Sequence, residues 1–176
     1  QTLLRDCEIT IEANPGTVSA AQLAGIRELG VNRISLGVQS SNLDELVTLD
    51  RLHGFREAQT AVVDARKAGF DNLSMDLIYG IPGQTMGTWA RSLEDVLSLS
   101  PEHLSLYSLT VEDGTPLAAR VASGCVSVPD DDLAADFYDY ASKVLGAAGY
   151  LHYEISNWGL LRGAEAMISR HNRQYW

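Results

Sequence analysis

The chain has 176 residues, 45% hydrophobic and 20% charged, which is enough for one domain with a large core. A formal charge of −10 argues against the clustered Lys and Arg that a nucleic-acid phosphate surface needs. No apolar run reaches membrane-spanning length, no signal peptide is visible, and Cys7 and Cys125 lie far apart without a C-x-x-C, so the expected setting is a reducing, cytoplasmic one.

Apolar runs alternate with helical patterns. The first run, Cys7 to Ile11, closes at Glu12-Ala13-Asn14-Pro15-Gly16. Ser19 and Gln22 have capping-box spacing; Leu23, Ile26 and Leu29 follow on a helical face, with Gly30 as its stop. The second run, Arg33 to Val38, ends at Gln39-Ser40-Ser41. A short helix over Leu43 to Leu49 is expected, then a longer one carrying Ala58, Val62 and Ala65 and stopping at Gly69. The third run is Leu73 to Ile78, followed by a helix with Trp89, Leu93, Val96 and Leu97 at i, i+4, i+7, i+8. The fourth run is His103 to Thr110.

Strand–helix alternation of this kind implies right-handed βαβ units and a parallel sheet. The strands read as mostly continuous apolar stretches, as when both faces are covered. After Gly114-Thr115-Pro116 the rhythm changes. Acids at Asp130 to Asp132 open a helix whose face is Leu133, Phe137, Tyr140, Val144 and Ala148, and Tyr150 to Ile155 is a last short strand. The fold class is therefore α/β, a partial parallel (β/α) barrel with a helix and a short strand appended.

Three polar residues hold equivalent places. Glu12 ends the first strand, Gln39 ends the second, and Asp76 sits near the end of the third. In parallel barrels, side chains at the C-terminal strand ends converge on a ligand. Two carboxylates and an amide suit the hydroxyls and amine of a ribose- or amino-acid-like molecule. For Asp76 alone, a helix cap or structural salt bridge is the competing reading. Arg51, between two helices, is placed to meet a carboxylate over the same face; its competing role is a solvated helix-end arginine. The four histidines form no i, i+4 pair, so no zinc site is expected.

The segments IEANPGT, LGVQS, DRLHG, DLIYGIPGQT, HLSLYSLTVEDGTP, YEISN and SRHNRQYW occur in this order across almost the whole chain. Together they resemble the HemW family of heme chaperones. These are radical S-adenosylmethionine proteins related to oxygen-independent coproporphyrinogen III oxidase. The resemblance implies a partial barrel that holds S-adenosylmethionine beside a [4Fe–4S] cluster, with heme or porphyrin as a partner and an acceptor hemoprotein beyond it. By position, Glu12, Gln39, Arg51 and Asp76 match the family's adenosylmethionine-contacting residues. It implies no catalytic side chain and no metal ligand in this chain.

Departures from the family pattern are specific. The cluster loop C-x-x-x-C-x-x-C and the following glycine motif are absent, as expected of a fragment of a longer protein. Cys7 and Cys125 match no cluster position. Asp50 stands where the family usually has Gly before the Arg, which places a carboxylate beside Arg51. Gly159 to Ile168 differs from the usual Pro-Gly turn. Residues 1–116 are expected to form the barrel part, and 117–176 the start of the family-specific region. There the Asn172-to-Trp176 end would put aromatic surface near the barrel mouth. Two other readings stay open: the porphyrinogen oxidase, and a non-radical α/β enzyme with Glu12 and Asp76 as an acid/base pair.

Overall fold

The computed structural model describes residues 7–128 and 130–174. Four strands, β1 (Thr10–Ala13), β2 (Arg33–Gln39), β3 (Leu73–Tyr79) and β4 (His103–Ser108), lie side by side in chain order, all parallel. The connections carry α1 (Ala20–Glu28), α2 (Leu43–Thr48) with α3 (Phe55–Lys67), and α4 (Met86–Ser98). This is the expected run of βα units.

α1, α2 and α4 start at side-chain caps, and α3 starts at Gly54, whose N–H donates to Glu57 Oε2. Ser19 and Gln22 close the predicted capping box on α1. Asn42 accepts from Asp44 N and Glu45 N at the start of α2, and Thr85 accepts from Thr88 N at the start of α4. These bonds satisfy backbone donors that a helix start otherwise leaves unpaired.

The strands differ from expectation in their patterning. Each alternates rather than running apolar throughout. In β2, Ile34, Leu36 and Val38 are fully buried under the helices, while Arg33, Ser35 and Gly37 share the opposite face. Leu73, Met75 and Leu77 in β3, and Leu104 and Leu106 in β4, continue the helix-covered core, joined by Phe70, Trp89, Leu93 and Phe137. Ser74, Asp76, His103 and Ser105 fall on the other face by the pairing of Ser35 with Ser74, Ser74 with His103, and Asp76 with Ser105. One face supplies the hydrophobic stabilisation, and the other is a polar interior.

Further boundaries move. β1 begins at Thr10, not Cys7, because β2 begins at Arg33 and offers no earlier ladder partner. The chain before it is held instead by Asn32, whose side chain accepts from Ile9 N and donates to the Cys7 carbonyl. Leu29 is the C-cap of α1 and is exposed, so it leaves the predicted core face. In α6 (Asp131–Ala147), with Asp130 as N-cap, the buried residues are Phe137, Ala141 and Leu145. The predicted face is thus rotated; Val144 is half-buried and Ala148 exposed.

After β4 the chain forms α5 (Pro116–Ala122), which the sequence reading left without an element, and then α6. The single last strand expected over Tyr150–Ile155 is a hairpin: β5 (Tyr150–Glu154) turns at Ile155-Ser156 into β6 (Asn157–Arg162), which pairs antiparallel with β4. A short β7 (Glu165–Ala166) pairs with β6, and α7 (Arg170–Arg173) follows. Gly159 hid β6 from the sequence reading. It is a glycine inside a strand because a Cβ there would lie 2.7 Å from the Met167 carbonyl oxygen. Tyr175 and Trp176, part of the expected aromatic end, lie outside the described residues. No helix among the described residues is long and apolar enough to cross a membrane.

Candidate functional site

The polar face of β1–β4 carries the candidate site. Two rows of side chains cross it. The first row is Glu12, Ser35, Ser74 and His103; the second is Gly37, Asp76 and Ser105, continued by Asn157 of β6. Asp76 stands in the middle. Its carboxylate accepts from Ser35 Oγ, at 3.1 Å to each oxygen. Burial pushes its pKa from 3.8 up to about 6; hydrogen bonds from Ser105 and Ser35 and the Arg33 cation oppose the rise, and Glu12 adds to it. The salt bridge that the alternative reading gave to Asp76 is absent among the described residues.

Glu12 shares that face. It is exposed, accepts no hydrogen bond among the described residues, and lines a cavity of about 800 Å3 with Thr10, Arg33 and residues of the Ser169–Gln174 segment. Thr10 Oγ1 is buried there without a partner. Gln39 reaches the face by a different route. A bulge between Gly37 and Gln39 breaks the register, and Gln39 takes φ 67°. Its amide folds back over Gly37, where a Cβ would meet Gln39 Nε2 at 2.8 Å and Asn14 Oδ1 at 3.2 Å. Glycine at 37 therefore makes room for two amide side chains beside Asp76.

Arg51 lies elsewhere. It lines a separate cleft of about 470 Å3 with Asn14, Gly16, Thr17, His53 and Glu57. Its Nε is buried without a hydrogen-bond partner, and it forms no ion pair with Asp50 among the described residues. Asp50 has φ 53°, the left-handed region that favours glycine. A glycine would take this backbone without strain. Asn14 lines the Arg51 cleft and also stands over Gly37, so it joins the two regions.

Sequence reasoning missed a set of interior residues. His103 is buried, with Nδ1 2.7 Å from Ser74 Oγ and Nε2 2.7 Å from the Tyr153 hydroxyl, which also accepts from Ser169 N. Burial and the Arg33 charge hold His103 well below its usual pKa, so it is neutral at pH 7. Burial pushes the Tyr153 phenol up to about 12. Arg33, only 4% exposed, faces the same space; its backbone N donates to the Ile9 carbonyl, and its guanidinium forms no ion pair among the described residues. The signal was available: Arg33-x-Ser35-x-Gly37, Ser74-x-Asp76 and His103-x-Ser105 alternate with the apolar residues. His53 is buried, with Nε2 3.4 Å from the Val38 carbonyl oxygen, and lines the Arg51 cleft. Among the described residues no group of three or more His, Cys, Asp or Glu is placed to hold a metal, and both cysteines are exposed and free.

Four parallel strands with their polar groups gathered on one face define an α/β barrel segment. The chain belongs to the Radical SAM superfamily, whose family model matches residues 2–96. Within it, the chain is 43% identical over 96% of its length to the heme chaperone HemW of Lactococcus lactis, covering 44% of that protein. It is 39% identical over 97% of its length to the mitochondrial radical S-adenosyl methionine domain-containing protein 1 of Bos taurus, covering 38% of that protein. Among solved structures it is similar to coproporphyrinogen III oxidase (HemN) from Escherichia coli, a radical SAM enzyme, with TM-score 0.78 and 26% identity, over 88% of this chain and 36% of that one. The chain spans less than half the length of these relatives.

Proposed function

We propose that this chain is the central part of a heme chaperone that holds S-adenosylmethionine on the inner face and strand ends of β1–β3. One observation carries the reading: Asp76, Glu12 and the Gln39 amide share one face, the amide lying over Gly37, and neither Asp76 nor Glu12 forms an ion pair among the described residues, the Arg33 cation acting on Asp76 only from a distance. The donor set suits this ligand. Carboxylates accept from an ammonium and ribose hydroxyls, the Gln39 amide does both, and the unpartnered Arg51 Nε fits a carboxylate reached by way of Asn14. Arg51 belongs to the site only if the ligand spans both cavities.

In the whole protein a [4Fe–4S] cluster, ligated outside this chain, supplies the one-electron chemistry when bound. Residues 1–116 contribute barrel strands, and 117–176 begin the region that sets the function. Heme is the cargo, an acceptor hemoprotein its destination, and the cytoplasm the compartment. Similarity to HemW proteins over nearly the whole chain supports the cargo. The structural likeness to HemN favours a second reading, oxidative decarboxylation of porphyrinogen propionates to vinyl groups.

The test uses full-length protein with its cluster reconstituted. Adenosylmethionine affinity that falls in Glu12→Ala, Gln39→Ala and Asp76→Ala, without loss of thermal stability, supports the site. Unchanged affinity in all three refutes it. Heme transfer to an apo-hemoprotein without turnover of coproporphyrinogen III supports the chaperone; turnover supports the oxidase.

A further inference from the structure

A second polar network lies between the exits of β2 and β3, apart from the proposed ligand contacts. Its members are Glu45 of α2, Ser40, Gln84 and Ser92, all 5% exposed or less. Ser40 Oγ donates to Glu45 Oε2 at 2.6 Å, and Gln84 Nε2 donates to the same oxygen at 3.1 Å. Gln84 Oε1 in turn accepts from Gly80 N at 2.8 Å and Ile81 N at 3.4 Å, which fixes the turn after β3. Ser92 Oγ, on α4, accepts from Ser41 N at 3.1 Å. One carboxylate oxygen thus ties together the loop after Gln39 and the loop after the Asp76 strand.

This arrangement is costly for mere packing. Glu45 forms no ion pair among the described residues, and its Oε1 is buried without a partner. A buried carboxylate in that state destabilises the fold, and an apolar residue would seat α2 more cheaply. Gln39 next door is strained as well. Its φ of 67° is unfavourable for a residue with a Cβ, and Ser40 N closes a tight turn onto the Val38 carbonyl at 2.8 Å. Such a backbone persists only where its surroundings over-determine it. The anchor on the residue after Gln39 is the bond from Ser40 to Glu45.

We propose that Glu45 is a positioning residue: through Ser40 and Gln84 it holds the exits of β2 and β3 at a fixed spacing, and so keeps the Gln39 amide turned over Gly37 beside Asp76. The proposal rests on the reading of Gln39 as a ligand contact. Without the anchor, the Gln39 peptide relaxes toward negative φ and its amide swings off the inner face.

The experiment is a mutant cycle in the full-length protein with reconstituted cluster, reading adenosylmethionine dissociation constant and melting temperature. Gln39→Ala and Glu45→Ala are each expected to weaken binding about tenfold. The double variant should bind no more weakly than either single one, because both remove the same contact. Glu45→Gln should restore binding, since the amide oxygen accepts both bonds and Oε1 had no partner to lose. Losses that multiply in the double variant, unchanged affinity in Glu45→Ala, or Glu45→Gln as weak as Glu45→Ala each overturn the proposal while leaving the ligand site standing. Unchanged affinity in Gln39→Ala overturns the ligand reading at that residue and the proposal with it. If Glu45→Ala does not fold, Ser40→Ala replaces it in the same cycle: it removes the Oγ that bonds Glu45, along with that oxygen's bond from Asn42 N and its contact with Ser92 Oγ, and leaves the Gln84 bond in place.

Discussion

Asp76→Asn should stabilise the fold and weaken the ligand. Burial pushes the carboxyl pKa up to about 6 in the folded chain, against an ordinary 3.8. The folded state therefore keeps a proton that the unfolded chain releases between those values. The stability that Asp76 contributes is highest below pH 3.8, falls as pH rises to about 6, and is flat above. A gap of about 2 pH units corresponds to about 3 kcal/mol at neutral pH. Asparagine removes that penalty. It keeps an oxygen to accept from Ser35 Oγ and gains an NH2 that suits Ser105. Urea unfolding followed by circular dichroism between pH 4.5 and 8 should show the variant more stable by about 2–3 kcal/mol at pH 7, with the difference shrinking as pH falls. Adenosylmethionine affinity of the full-length variant should fall about ten- to a hundredfold, as expected for losing a charged hydrogen bond. A variant less stable than the parent at pH 7, or with the same pH slope, refutes the desolvation argument. A variant with unchanged affinity refutes the ligand role.

Arg33→Gln removes a cation that favours the Asp76 carboxylate, so the Asp76 pKa should rise further. Ligand affinity should then drop between pH 6 and 7 and recover toward pH 8, and a pH profile parallel to the parent's counts against the coupling. Gly159→Ala forces its Cβ against backbone of Met167 and should cost about 1–3 kcal/mol in urea unfolding, whereas Gly146→Ala, with open space around it, should be neutral or stabilising. Cys7→Ser with Cys125→Ser should leave iron and sulfide content of the reconstituted full-length protein unchanged; a loss would mean that one of these exposed thiols is a ligand.

The parallel order β1-β2-β3-β4 was legible because apolar runs, helix starts and turn residues recur in the same sequence of types. Local chemistry dictates each of them. The hairpin β5–β6 was half legible. Its second strand contains Asn157 and Gly159, poor strand residues on their own, and only the Met167 backbone packed against Gly159 accounts for the glycine. Glu12 and Asp76 were readable as strand-end acids. Gln39 was readable as a position but not in its pose, since a bulge and a positive φ are set by the Ser40–Glu45 bond, a contact that becomes visible only once α2 is placed. Arg51 was readable as a position but not in its direction. A residue between two helices has no register to fix its direction, and the loop carries it into the neighbouring cleft. His103 and Tyr153 went unseen because 50 residues separate them and the link depends on the antiparallel return of β5 and β6.

The distribution of satisfied groups on the inner face argues for where a ligand lies. In the row from Glu12 to His103, the far end is closed: His103 is bonded on both ring nitrogens, to Ser74 and Tyr153. The near end is open, with Glu12 unbonded and exposed. Between them stand only serines and, one row on, Gly37. Small side chains there leave space above the sheet, and they leave it beside an Asp76 carboxylate whose raised pKa records incomplete solvation. A face built for packing would fill that space with apolar side chains, as the helix-covered face of the same strands does. Retaining an acid that weakens the fold, flanked by residues too small to cover it, follows if another molecule's polar groups complete the site.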